Sequence, residues 1–262
     1  MIKNKKFKKS FLLFFLFIFT QKAYVKKTTV TIAQTIETTE EISSLDDSKN
    51  GVPAKTYEAS GRFQSPINLK GAMEVDLRSI KFNYKSKNFS ITHTGHSTHL
   101  SPKKGLCFII IDGIQYNLIQ FHFHTPSEHL LEGQRFPLEL HFVHKNKNGN
   151  IAVIGVLIKN GAHHKEFDQI ITTIPQEINI EIMLKKPLDL MKLFPKDKHI
   201  YRYEGSLTTP PYAEGIKWLV MKKQIELSED QINRIGRIMG KNSRDIQPTN
   251  GRHIVVDTTI EQ

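Results

Sequence analysis

Two short segments constrain this chain more than any other part of it: Gln120-Phe-His-Phe-His124 and Glu139-Leu-His-Phe-Val-His144. Both alternate apolar and polar residues, which is a strand period rather than a helical one. On a strand, residues two apart point to one face. His122 and His124 therefore project together with Gln120 beside them, and Glu139, His141 and Val143 share one face of the second strand. If the strands are neighbours, three imidazoles converge on one point. Three imidazole ligands with a fourth position open to water is the donor set of a catalytic zinc. Gln120 and Glu139 fall where acceptors for the distal ring N–H groups are needed. A lone His-x-His would be read as polar positions on a half-buried sheet. The third histidine and the two acceptors turn the reading to a metal.

The surrounding pattern is also strand-like. Ile80 to Tyr84 alternates. Asp112-Gly113 is a hairpin signal between Phe108–Ile111 and Ile114–Gln120, and Asn148-Gly149 joins Leu138–His144 to Ile151–Ile158. Residues 164–174 and 228–240 read as helices. The second begins with a capping box, Ser228 to Gln231, followed by Ile232, Ile235 and Met239 at helical spacing. The fold expected is α+β and mainly β: a large central twisted sheet, mostly antiparallel, with peripheral helices.

The net charge of +11 does not point to nucleic acid. Residues 1–27 hold eight lysines and no acidic residue, and without them 29 basic face 26 acidic residues. Lys3 to Lys9 precede nine consecutive apolar residues, Phe11 to Phe19, as in a secretory signal. That run is short of the roughly 20 residues a membrane span needs. Ala23 would be the last residue removed, but Gln21 fits the small-x-small rule poorly, which leaves an uncleaved anchor open. The expected organisation is a signal peptide over 1–23, a polar linker over 24–55 and one domain over 56–262, periplasmic or secreted, with no membrane contact by the mature domain. Cys107, the one cysteine, sits in an apolar run and reads as a small core residue.

Five segments together resemble the alpha-class carbonic anhydrases in their bacterial form. They are Gln64-Ser-Pro-Ile-Asn68, Gln120 to His129, Glu139 to His144, Tyr203-Glu-Gly-Ser-Leu-Thr-Thr-Pro-Pro211, and Asn242 to Arg252. The resemblance covers about residues 57–255. It implies zinc-dependent, reversible hydration of CO2 to bicarbonate and a proton by zinc hydroxide, with a histidine proton shuttle. His122, His124 and His141 would hold Zn2+. Thr208 would bond the zinc-bound hydroxide and donate to Glu128. A hydroxyl can do both, while an ionised carboxylate only accepts. Thr209 would line the bicarbonate site, and Val143, Val153, Leu207 and Trp218 the apolar wall for CO2. His129 would be buried, near Glu139 and Tyr203, and the Asn242 carbonyl would orient His124. His96, in Thr94-Gly-His96, would carry the proton out. His99 could assist it, and His93 reads as a solvated surface residue.

The chain departs from the family in places. Its one tryptophan is Trp218, so the aromatic N-terminal segment is missing or replaced, and Thr94 stands for an asparagine. Two rivals remain at this point. A cupin would use His122, His124 and Glu128 as ligands. A family member that only binds would have lost a ligand histidine. Esterase activity would be a side reaction of the same site. The partners implied are CO2 and bicarbonate, with a homodimer left open.

Overall fold

The computed structural model describes residues 60–85, 87–103 and 107–257. The expected signal peptide and linker lie outside the described residues. In chain order the strands are β1 (Asn68–Leu69), β2 (Met73–Val75), β3 (Lys81–Asn83), β4 (Asn88–His93), β5 (Thr98–Lys103), β6 (Phe108–Ile111) and β7 (Ile114–His124). After these come β8 (Leu130–Leu131), β9 (Leu138–Lys145), β10 (Ile151–Asn160), β11 (Glu181–Met183), β12 (Ile200–Ser206), β13 (Glu214–Met221), β14 (Ile225–Leu227) and β15 (Val255–Asp257). Two helices, α1 (Lys165–Thr173) and α2 (Glu229–Met239), and a 3-10 turn at Leu190–Leu193 complete the described elements. None of these helices is long and apolar enough to cross a membrane.

Thirteen strands form one sheet, whose main path runs β11-β4-β5-β7-β9-β10-β13-β12-β15-β2. It is a mixed sheet, which corrects the expectation of a mostly antiparallel one. β10 pairs in parallel with both β13 and β14, and β15 pairs in parallel with β2. The antiparallel hairpins are local and visible in turn residues; these parallel pairs join segments far apart in the chain, where no turn announces them.

Local chemistry explains the hairpins and helices. Asp112 and Gly113 both have positive φ, 52° and 81°, which a two-residue turn between twisted strands requires. Asn146 Oδ1 accepts from the backbone N–H groups of Asn148 and Asn150, tying the β9–β10 turn. The capping box of α2 forms as expected.

One detail of β7 aims the site. Opposite β9, Leu118 pairs with His144 but Gln120 pairs with Val143, so Ile119 is an extra residue, a β-bulge. Strict alternation would put Leu118 and Gln120 on one face. The bulge moves the phase by one. Leu118, Phe121 and Phe123 enter the core beneath α1 and α2, with Phe142, Ile154 and Leu219. Gln120, His122 and His124 face the other side. There a second cluster gathers Ile67, Phe136, Val153, Tyr203, Trp218 and Val220.

Candidate metal centre

β7 and β9 are antiparallel neighbours, and His122 lies directly opposite His141. His122 Nε2 and His124 Nε2 stand 3.0 Å apart. The His124 and His141 rings have centroids 4.4 Å apart. These three side chains form a set whose ligand atoms all lie within 4.8 Å of one another. Tetrahedral zinc with bonds of ~2.0–2.1 Å separates its ligand nitrogens by ~3.3 Å, so the spacing of the first pair is a few tenths short of that fit.

Each ring is held from behind. His122 Nδ1 is 2.9 Å from Gln120 Oε1, and His124 Nδ1 is 3.3 Å from the Asn242 carbonyl. His141 Nε2 is 3.0 Å from Glu139 Oε1, close but too bent to count as a full hydrogen bond. In all three, the nitrogen left facing the cluster is the one a metal would take. Burial pushes the His122 pKa well below the usual imidazole value and that of His124 down to about 4. Both are therefore neutral near pH 7, the form that binds a metal. Burial also lowers His141, but the Glu139 charge outweighs it and the net direction is upward.

Glu139 is the hub behind the cluster. Its Oε2 accepts from the backbone N–H groups of Glu128 and His129, each at 2.9 Å. Its Oε1 is 2.7 Å from His129 Nδ1. Burial alone would raise this carboxyl, but His129 and His141 more than cancel it and hold the pKa well below the usual carboxylate range. His129 Nε2 in turn lies 2.7 Å from the Tyr203 hydroxyl, which donates to Ser65 Oγ at 2.8 Å.

The profile of the eukaryotic-type carbonic anhydrases matches residues 48–258. The chain belongs to that family. A carbonic anhydrase of Pectobacterium atrosepticum is 36% identical over 197 residues, covering 75% of this chain and 80% of the relative. One of Neisseria gonorrhoeae is 35% identical over 198 residues, covering 75% and 78%. A solved hyperthermostable carbonic anhydrase from a hydrothermal vent chimney superposes with a TM-score of 0.72 at 44% identity, covering 75% of this chain and 88% of that one.

Within this carbonic anhydrase fold, the remaining site candidates fall as follows. Val153 is opposite both Val143 and Trp218, and all three pack with Leu207 in one cluster. The Trp218 Nε1–H donates to the Ser206 carbonyl at 2.9 Å, which fixes the start of the loop carrying Leu207, Thr208 and Thr209. Thr208 is half-buried and Thr209 exposed. Glu128 Oε1 accepts from the Arg244 backbone N–H at 2.8 Å. Its buried Oε2 has no hydrogen-bond partner, so the Thr208 hydroxyl does not reach it here. That oxygen lies 3.8 Å from His141 Nδ1, and Glu128 belongs neither to the His122, His124 and His141 set nor to the overlapping set of His129, Glu139 and His141 whose atoms also lie close enough to share an ion. The cupin reading needed it as a ligand.

His96 is exposed on the turn between β4 and β5, and its carbonyl accepts from Asn242 Nδ2 at 2.9 Å. His99 is the cross-strand partner of His122, with ring centroids 5.4 Å apart, and burial brings its pKa to about 4. His93 is not a solvated surface residue. It is only 9% exposed, because it follows Phe89 and Ile91 on the core face of β4, and neither ring nitrogen has a partner. Sequence reasoning missed Ser65 and Arg244 as supports. Both lie inside the motifs that carried the resemblance, so the signal was present without a role attached.

Proposed function

We propose that the protein is an exported zinc carbonic anhydrase interconverting CO2 and bicarbonate. The observation that carries the reading is the convergence of His122, His124 and His141, each with its own orienting group behind it. These residues fit zinc and would hold it. When bound, the ion supplies Lewis acidity that brings the ionisation of a coordinated water toward neutral pH, carbonic anhydrase being the familiar instance of that effect.

The chain's own residues supply the rest. Val143, Val153, Leu207 and Trp218 form an apolar wall suited to a small, weakly polar molecule such as CO2. Glu128, acceptor-only when ionised, has one oxygen tied to Arg244 and one free for the Thr208 hydroxyl proton. A turn of the Thr208 side chain that brings its proton to that oxygen would leave the Thr208 oxygen as an acceptor, able to direct a donor in the site toward the apolar wall. Thr209 lines the side where bicarbonate forms. His96, at the solvent edge, takes the released proton on its ring and passes it to buffer. Residues 1–23 direct export to the periplasm or beyond, 24–55 act as a linker and 56–262 form the working domain.

Zinc content and CO2 hydration, measured before and after complete chelation, test this reading. About one zinc per chain with activity lost on chelation is expected from the His122, His124 and His141 cluster. Undiminished activity after complete zinc removal would refute it.

A further inference from the structure

We infer that Gly155 is a positioning residue for the metal: its missing side chain is the space that lets the Glu139 carboxylate fix His141. The inference rests on the metal reading above and deepens it.

β10 reads Ile-Ala-Val-Ile-Gly-Val-Leu-Ile over 151–158, with seven of its eight residues apolar and bearing a side chain. A glycine in the middle of such a strand has nothing to pack and marks a close approach. No left-handed conformation asks for it, since Gly155 is not among the positive-φ glycines. Space does. Gly155 lies directly opposite His141 on β9 and Val220 on β13. A Cβ there would come within 2.9 Å of Glu139 Oε1, and within 3.3 and 3.5 Å of the Val220 methyls.

The carboxylate has nowhere to go. Its other oxygen is held by two backbone N–H groups at 2.9 Å, and Oε1 itself by His129 Nδ1 at 2.7 Å. Oε1 is also the atom 3.0 Å from His141 Nε2. A methyl at 155 therefore displaces the carboxylate oxygen that stands 3.0 Å behind His141 Nε2. By contrast, a Cβ at Gly161 would meet the Glu226 side chain, which is 42% exposed and pairs with Lys159 rather than with any ring of the cluster.

The test uses the full-length protein and measures zinc affinity by competition with a chelator, with circular dichroism and melting as fold controls. Gly155→Ala should weaken zinc binding roughly 10–100-fold, the range for losing a group that orients a ligand. Glu139→Asp alone should also weaken it. In the Gly155→Ala background, however, Glu139→Asp should recover affinity, because the shorter side chain draws the carboxylate back from the new methyl. Val220→Ala in the same background relieves only the packing contact and should recover none.

Wild-type zinc affinity in Gly155→Ala would overturn the inference. So would recovery by Val220→Ala and not by Glu139→Asp, which would make the glycine a matter of packing alone. If Gly155→Ala does not fold, the two double variants decide: folding and zinc binding restored by Glu139→Asp support the inference, and restoration only by Val220→Ala, or by neither, overturns it. A wild-type chain that binds no zinc would overturn the metal reading itself, and this inference with it.

Discussion

Glu139→Gln is the sharpest test of how the cluster is held. The two side chains have nearly the same shape, so the change is one of charge and of donor against acceptor. Glu139 faces four donor groups: the N–H groups of Glu128 and His129 on Oε2, and His129 Nδ1 and His141 Nε2 on Oε1. A glutamine can keep its carbonyl oxygen toward the two backbone N–H groups, since those cannot change. Its NH2 then points at the two imidazoles. Both rings must accept at those nitrogens, so the His141 proton moves to Nδ1, the atom facing the cluster. A protonated Nδ1 cannot bind a metal. Restoring the other tautomer leaves donor against donor in a buried site, costing about 1–3 kcal/mol. Lost outer support of this kind weakens metal binding roughly 10–100-fold, or ~1.4–2.7 kcal/mol. Competition with a chelator at pH 7 measures it directly. Zinc affinity within twofold of the unaltered protein would refute the argument that Glu139 sets the His141 tautomer.

His96→Ala should lower the maximal rate in weak buffer while leaving the CO2 step intact, and added imidazole should restore it; an unchanged rate in weak buffer would remove His96 from the shuttle role. Acid sensitivity should trace to Glu214. Burial would raise its carboxyl, but bonds from Ser60, Gln64 and the Phe63 N–H bring its pKa down to about 2. A depressed carboxylate stabilises the fold above its unfolded value of ~4.3 and loses that contribution as pH falls toward about 2. Glu214→Gln should therefore flatten the decline of melting temperature across that window. An identical pH profile in the variant would show that these contacts do not couple to folding.

The sequence made the cluster legible because its signal has a period of two. Spacing alone put His122 and His124 on one face with Gln120, and His141 on one face with Glu139; that the two strands are neighbours is what the structure adds. The hairpins were legible because Asp112-Gly113 and Asn148-Gly149 are local turn chemistry. What stayed hidden is either non-local or a matter of volume. The bulge at Ile119 leaves no mark in composition, yet without it Leu118 would share the face of Gln120. Arg244 and Asn242 reach the site from more than 110 residues away. The burial of His93 depends on which face of β4 is covered, which alternation does not say. The empty space at Gly155 is defined by Glu139 and Val220, neither of them near it in the chain.

The pairing of β15 with β2 has a consequence in time. It joins Val255–Asp257 to Met73–Val75, so the sheet is finished only when the last described strand arrives. The three ligand histidines lie within one short stretch, whereas Asn242 meets His124 across 118 residues. Closing the longer loop costs about 1.6 kcal/mol more entropy than bringing β7 to β9, and contacts of such range form slowly. During synthesis, the histidines can meet while Asn242, Arg244 and Thr208 are still to be added. On the zinc reading, a nascent chain would carry the three histidines before the residues that orient His124 and Glu128 exist. Premature release at residue 240 should yield a fragment with the ligands but without the Asn242 and Arg244 supports, binding metal more weakly than the full chain; equal affinity in the two would show that the late-arriving segment does not contribute to holding the ion.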